Sequence, residues 1–540
     1  MWYYAHAGGL ADVQYILEWL LDNQGHGYSV SCAFSGSSAI IVRVSKGKYF
    51  WNFLDSYWLL RAPLRKIGEF MGLEKGGEEG STDLFYAPIA TLMPYNQNDC
   101  FILYEAIRRL EDTVLGLGGR LEMTIASTAM SLFRRRYLTR QIHTDANVNE
   151  LSNEAYIASR VEVFEHTCKN ADYWDINSSF PYSMTFDAPG DLIGTSKRMK
   201  DDETIKIVKA RVSVRPCDLP PLPYRTPNDR RIYFPTGSWE SWFSHVDLQL
   251  LEATGHKIES VSKVLSFEKF HDLKAYSEEI YRLRRNSTDE AEREILKYLL
   301  NSLYGKFAEG EEKSQYLINP PIEFFDVPEW DSAAADRGEI QKPPFRSKIQ
   351  PGIHEYVQKR EIPHRHVPIA MHITALSRRW LYEYMAESEK VYYCDTDGFA
   401  IPKGSSDYVS SKELGKLKHE KVIVEGHFHA PKTYAYQAAL PEGVQGPLRY
   451  TIRAKGISRP LDENGDQRPL TYADYCKLLE HKELPIERFS RVKGLLKMKD
   501  PHVHDVRIMK TLRDTVNPKR FFPADGSRSR PWDVKELIAL

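Results

Sequence analysis

Three short stretches of this chain combine acids, cations and rings at spacings that suit chemistry on a phosphate. In YYCDTDGFA, residues 392–400, Asp395 and Asp397 alternate, and on a strand they would point the same way. Two carboxylates side by side repel each other unless a cation neutralises them. Their flanks are β-prone and apolar, and acids on such a half-buried hairpin are costly without a metal. In YWDINSSFPYSM, residues 173–184, Asp175 ends a strand-like run and is followed by small polar residues. A carboxylate beside a tight turn suits a divalent metal, while turn amides face a triphosphate. In KYLLNSLYGKF, residues 297–307, Lys297, Asn301 and Tyr304 fall on one helical face. Lys297 suits phosphate, and Asn301 and Tyr304 suit a base and its sugar.

Each stretch also has a bland reading. A strand-end Asp is often a helix cap. Two acids in a turn are often only exposed, and a helix closed by Gly305 is often only a surface helix. Their combination is more specific. Phosphoryl transfer to a 3′-hydroxyl uses two metals about 4 Å apart, clamped by carboxylates from different strands. It also needs cations on the leaving phosphates. One chain supplies both sets, in the order Asp175, Lys297, Asp395 and Asp397.

The elements that must position these residues follow from periodicity. Residues 1–115 read as mixed α/β, with strands in GYSVSCAF and SAIIVRV and amphipathic helices in ADVQYILEWLLD and NDCFILYEAIRRLED. Residues 116–150 read as a helical connector. In the block 151–440, strands are expected in RVEVFEH, KIVKARVSVR and EKVYYCD, and helices over 272–308. Residues 309–365 are rich in Pro, Glu and Lys with little periodicity, and read as a long irregular excursion. A chain of 540 residues exceeds one compact core, so several domains are expected.

Bulk composition excludes several classes. With 42% hydrophobic and 27% charged residues the chain is of ordinary globular character, neither fibrous nor low-complexity. Net charge is -1, but residues 491–540 hold 12 Lys/Arg against 6 Asp/Glu, a local +6 that suits phosphates. The six cysteines are scattered without a Cys-x-x-Cys pair, which argues against a zinc ribbon or a disulfide framework. No apolar run of about 18 residues occurs, so no membrane span is expected, and the start lacks a signal-peptide pattern. An intracellular protein, in the cytoplasm of a host cell, is the expectation.

These stretches resemble the motifs of family B DNA polymerases. DINSSFP is similar to motif A, usually Asp-x-x-Ser-Leu-Tyr-Pro; KYLLNSLYG to motif B, Lys-x-x-x-Asn-Ser-x-Tyr-Gly; and YCDTD to motif C, Tyr-x-Asp-Thr-Asp. The similarity is greatest to the organellar, viral and plasmid branch, which includes protein-primed polymerases. AYIASRVEVFE resembles that branch's element before motif A, with Tyr156 kept. ITALSRR resembles its Thr-x-x-Gly/Ala-Arg element, giving Arg378. PKTYAY resembles the Lys-x-Tyr motif, giving Lys432 and Tyr434, and KGISRP the Lys-Gly element after it. The resemblance covers roughly residues 150–460.

The resemblance implies a right-hand fold of α+β multidomain class. An antiparallel palm sheet would carry the carboxylates, within residues 151–440. Helical fingers would occupy about 272–308, with insertions at about 185–270 and 309–365. A basic thumb would follow over 441–540, and an exonuclease-type, ribonuclease H-like α/β domain would precede over 1–115. Asp175 and Asp397 would hold two catalytic Mg²⁺ ions, with Mn²⁺ as substitute, and Asp395 and Tyr393 would support the site. Lys297 would bind the incoming triphosphate, with Arg285 as second ligand, and Asn301 and Tyr304 would line the nascent base pair. Phe180 stands where the family has Tyr; its ring would keep the steric gate against a 2′-hydroxyl and lose the phenol. Gly398 replaces a frequent Ser, with little consequence expected. Tyr156, Arg378, Lys432 and Tyr434 would contact DNA, the last two at the primer terminus. The implied partners are primer-template DNA and deoxynucleoside triphosphates, with the chain a monomer. Priming by a terminal protein, by RNA or by neither stays open.

The front of the chain resembles the family's proofreading motifs in altered form. HAGGLAD matches His-Asn-Gly-Gly-x-Phe-Asp with Asp12 kept and Ala7 and Ala11 substituted. YNQND matches Tyr-x-x-x-Asp, giving Tyr95 and Asp99, and FLDSYWLL matches the segment between the two. The first motif, Asp-x-Glu, has no room before His6, so weak or absent editing is the expectation. Two rivals are weighed. A reverse transcriptase or RNA polymerase would usually pair adjacent acids, whereas Thr396 separates them here. A catalytically silent scaffold protein would have lost a metal carboxylate, whereas Asp175, Asp395 and Asp397 are all present. The editing expectation is checked with single-stranded DNA and Mg²⁺: little 3′-end degradation is expected, and efficient degradation would refute it.

Overall fold

The computed structural model describes residues 1–7, 16, 19–20, 23, 26–35, 38–75, 88–228, 230–318, 345–350, 353–359, 361–440, 444, 446–457, 459–463, 465, 467–489, 505–512, 518–526 and 528–539. The fold is built around one antiparallel sheet of seven strands. In spatial order these are Tyr450–Arg453, Thr433–Ala438, Leu417–Ala430, Thr167–Ile176, Gly398–Pro402, Tyr393–Asp395 and Val161–Val163. Thr167–Ile176 lies at its centre, and Cys168, Ala171, Trp174 and Ile176 are buried. Both its neighbours, Gly398–Pro402 and Leu417–Ala430, run antiparallel to it.

Against this sheet stands a helical hairpin, Asp272–Asn286 and Glu290–Lys306. Asp289 starts the second helix by accepting the N–H groups of Ala291 and Glu292, the orphan donors of a helix N-terminus. Ile295, Leu296, Leu299, Leu300 and Leu303 make its buried face. The opposite face carries Arg293, Lys297, Asn301 and Tyr304, as the 3.6-residue period requires. The core beneath also takes in Phe133, Tyr276, Phe270 and Ile369.

Residues 188–270, expected as an insertion, form a four-stranded antiparallel sheet with the helix His245–Ala253. The interval 309–365 departs from its irregular reading. Glu312–Ile318, Phe345–Gln350 and Ile353–Lys359 are strands, joined to the N-terminal strands Ser29–Ser35, Ser38–Lys46, Tyr49–Asp55 and Trp2–Ala5 in one seven-stranded sheet. The pairing of Glu312–Ile318 with Ser29–Ser35 is remote in sequence, so local periodicity could not announce it.

The described residues after 440 dock at two places. Tyr450–Arg453 extends the sheet centred on Thr167–Ile176, and the helix Tyr472–Leu479 packs beside it. Residues 518–539 return to the opposite edge. There Arg520, 1% exposed, donates to the Asp218 carbonyl and to Ser529, and its guanidinium lies over Phe164. A buried guanidinium needs all its donors matched, which fixes where this segment docks. Among the described residues no helix is long and apolar enough to cross a membrane.

Arg378 is a correction. It was expected at DNA, but it is 4% exposed within the helix Val367–Ala386. It donates to both carboxylate oxygens of Asp247, at 3.0 and 3.1 Å, and to the Ile157 carbonyl. A single guanidinium nitrogen, Nη2, reaches both oxygens, so the contact is a buried, bifurcated ion pair. Removing one partner of a buried pair costs about 3–5 kcal/mol. Arg378→Ala is therefore expected to lower the urea midpoint strongly; an unchanged midpoint would show the pair to be dispensable.

Candidate active site

Tyr393–Asp395 and Gly398–Pro402 pair in register, with Asp395 opposite Gly398. Two residues are left to turn the chain. Thr396 takes φ +69°, and the Asp397 N–H donates to the Asp395 carbonyl at 2.8 Å, a three-residue γ-turn. A non-glycine residue in this left-handed region is held there by its surroundings. The Thr396 N–H donates to the Arg160 carbonyl at 2.9 Å, and the Asp397 carbonyl accepts the Ile176 N–H at 2.8 Å.

This turn corrects the alternation argument. Asp395 and Asp397 do not share a strand face. Asp397 lines a cleft of about 890 Å³ together with Asp175, which lies opposite Gly398 on the neighbouring strand. Asp395 is held behind it, accepting from Tyr393 Oη at 3.2 Å, Thr396 Oγ1 at 3.1 Å and Lys432 Nζ at 2.6 Å. Lys432 also donates its backbone N–H to Tyr393 Oη at 3.1 Å. Tyr434 packs edge-on to Tyr393, and Tyr393 stacks on Phe428. Gly398 matters more than its sequence suggested. A Cβ there would stand 2.6 Å from the Tyr173 hydroxyl and 3.0 Å from its ring carbons.

The two cleft acids hold their protons tightly. Burial first, then the charges of Asp397 and Glu420, raise Asp175 to about 7. Burial, then Asp395, raises Asp397 to about 6. Each carboxylate penalises ionisation of its neighbour, as expected for like charges in a poorly solvated site. A divalent cation relieves that penalty, so the donor chemistry fits one. Among the described residues no group of three or more His, Cys, Asp or Glu forms a closed metal cage. Two carboxylates with the rest of the shell left to water and phosphate oxygens is the habit of Mg²⁺.

The opposite wall is cationic. Lys297 lines the cleft and pairs with Glu294 at 3.2 Å. Asn301 and Tyr304 follow on the same face, and Arg285 joins them from the first helix of the hairpin. Phe180 stacks on Tyr304, ring centroids 4.4 Å apart at 15°. Tyr156 packs with both rings against the same core cluster. Sequence reading missed Arg284, Arg293, Lys412 and Lys418, which also line the cleft. Arg293 had a signal, lying one helical turn before Lys297 at the spacing already noted. Lys412 and Lys418 had none, because only sheet pairing brings them there.

The N-terminal residues lie elsewhere. His6 contacts Ser56 Oγ at 3.0 Å and donates to the Ala62 carbonyl at 2.7 Å. Asp99 pairs with Lys75 at 3.2 Å, and Lys75 lies over the Tyr95 ring. Asp12 lies outside the described residues.

Comparison with known proteins places these features in a lineage. The chain is 27% identical over 368 residues to a probable DNA polymerase of Neurospora intermedia, covering 63% of this chain and 36% of that protein. It is 25% identical over 386 residues to one of Ascobolus immersus, covering 68% of this chain and 31% of that protein. It thus spans about a third of the length of these relatives. The DNA-directed DNA polymerase of phage PRD1 is 24% identical over 464 residues, 81% of this chain and 73% of that protein. Among solved structures, Phi29 DNA polymerase complexed with primer-template DNA superposes with a TM-score of 0.70 at 19% identity, over 95% of this chain and 91% of that one. That likeness shows the right-hand fold. Residues 87–391, more than half of the chain, match the family described as DNA polymerase type B, organellar and viral, and the chain belongs to that family.

Proposed function

We propose that this protein is a DNA-directed DNA polymerase, extending a primer 3′-hydroxyl on template DNA during replication of a viral or mobile-element genome. The observation that carries the reading is the meeting of Asp175 and Asp397 in one cleft with a helix face of cations, an amide and a ring. Its relatives bear the name DNA polymerase, and solved relatives of its fold hold primer-template DNA and incoming nucleotides. In this reading the seven-stranded sheet is the palm and the hairpin Asp272–Lys306 the fingers. Residues after about 454 contribute a thumb, and the N-terminal sheet is exonuclease-like.

Asp175 and Asp397 would hold two divalent ions, Mg²⁺ or its substitute Mn²⁺. Such ions, when bound, lower the proton affinity of the attacking hydroxyl and take up charge on the leaving oxygen. Asp395 does not reach the cleft; with Tyr393 and Lys432 it fixes the turn that presents Asp397. Lys297, Arg285 and Arg293 bind and orient the triphosphate, as cations aimed at phosphate do. Asn301 and Tyr304 receive the base and sugar. Phe180, backed by Tyr304, closes the space a 2′-hydroxyl would take. Lys432, whose side chain is 61% exposed, and Tyr434 stand beside Asp395 at the primer end. The partners are primer-template DNA and deoxynucleotides, and protein priming is the mode proposed by kinship with phage polymerases.

Primer extension with Mg²⁺ tests this reading. Losing a metal carboxylate removes several kcal/mol of transition-state stabilisation, on the order of 10³-fold in rate. Asp175→Ala and Asp397→Ala should each fall by that much. No extension by the wild type, or full activity of Asp397→Ala, would overturn the proposal. Phe180→Val removes the ring and opens a gap larger than one methylene, which is itself worth about tenfold or more in discrimination. The ratio of kcat/KM for deoxy- over ribonucleotide should drop accordingly; an unchanged ratio would remove Phe180 from the gate.

A further inference from the structure

Two cations, Lys412 and Lys418, reach the cleft from the wall opposite the fingers. Lys412 lies between the strands Gly398–Pro402 and Leu417–Ala430, in a segment that crosses from palm to fingers. Its backbone is pinned from both sides. Asn177, in the turn after Asp175, donates through its side chain to the Ser411 carbonyl at 2.6 Å. The Asn177 backbone accepts the Gly415 N–H at 2.9 Å and donates to the Lys416 carbonyl at 2.9 Å. Tyr281, on the first fingers helix, donates its hydroxyl to the Lys412 carbonyl at 2.6 Å. Gly415, at φ +76°, lies so close on the Tyr182 ring that a Cβ would meet it at 2.3 Å. The segment therefore has little freedom, while the Lys412 side chain is exposed into the cleft.

Its neighbours there are Arg284 and Arg285, three and four positions after Tyr281 on the same helix. Other cleft lysines are engaged, Lys297 with Glu294 and Lys418 with Glu420. Among the described residues no ion pair engages Lys412, Arg284 or Arg285. Arg284 also donates to Ser178 Oγ at 3.4 Å and lies within the field of Glu294, so Lys412 and Arg285 carry the excess charge. Three cations facing one space, with the Lys412 backbone fixed by the acid-bearing turn, suit a compact polyanion.

We propose that Lys412, with Arg284 and Arg285, forms a subsite for the departing pyrophosphate. The proposal rests on the polymerase reading. In that reaction the primer 3′-hydroxyl gives its proton to solvent, its oxygen bonds to the α-phosphorus, and the bond from that phosphorus to the bridging oxygen breaks. Pyrophosphate leaves with the electron pair, so its negative charge grows as the product forms. A cation anchored on the palm stabilises the leaving group more than the intact triphosphate, which the fingers already hold.

Wild-type primer extension is measured first, with increasing pyrophosphate, and then that of Lys412→Ala and Lys412→Arg. A charged hydrogen bond lost from this subsite should raise the pyrophosphate concentration for half-inhibition about tenfold. The KM for the incoming deoxynucleotide should rise by less than about threefold, since the fingers cations remain. Lys412→Arg should restore pyrophosphate inhibition. Half-inhibition unmoved in Lys412→Ala, or KM moving in the same proportion, overturns the subsite and leaves the polymerase reading intact. Absence of extension by the wild type overturns both.

Discussion

The antiparallel pairing of Thr167–Ile176 with Gly398–Pro402 is the constraint on which the site depends. It sets Asp175 opposite Gly398 and so delivers two acids, distant in sequence, to one edge of the cleft. Nothing about that meeting is comfortable, because burial and then the charge of Asp397 raise the proton affinity of Asp175, while burial and then Asp395 raise that of Asp397. The sheet overcomes the repulsion with structure. The γ-turn at Thr396 is clamped by Arg160 and Ile176, Gly398 leaves room for Tyr173, and Asp395 is drawn back by Tyr393 and Lys432. A bound cation then finds a geometry that was built before it arrived.

That turn shows how far sequence reading reaches. The identity of the acids, their order and the helix face of Lys297, Asn301 and Tyr304 were legible, because each is a local pattern. The separate duties of Asp395 and Asp397 were not. Strand alternation assumes extended backbone throughout, and one left-handed residue cancels it. Arg378 failed for a related reason. Its motif is local, but whether a guanidinium meets water or a buried carboxylate depends on Asp247, which belongs to another sheet's helix. Lys412 and Lys418 were silent because their approach is made by loop and register alone. Glu312–Ile318 was hidden because its partners, Ser29–Ser35 and Ile353–Lys359, are both distant in sequence.

The outer strand of the sheet centred on Thr167–Ile176 is backed by buried charge. Val161–Val163 carries Glu162, fully buried, between Arg160 and Arg520. The carbonyl of Arg160 is the group that receives Thr396. A buried charge cluster of this kind adds little net stability but penalises every alternative arrangement in which a charge loses its partner. The return of the C-terminal segment to Glu162 therefore reaches, through one strand, to the backbone of the turn at Thr396.

The shared sheet of Ser29–Ser35 and Glu312–Ile318 has a consequence for synthesis. Val30 faces Ile318, and Ala33 faces Gln315, so the early strand completes its hydrogen bonding only with residues made much later. At about 5–20 residues per second, a ribosome needs on the order of tens of seconds to supply them. Throughout that interval the early strand offers an open edge, the feature most prone to pairing with the wrong chain. Birth, rather than catalysis, is then the stage at which this molecule is most vulnerable.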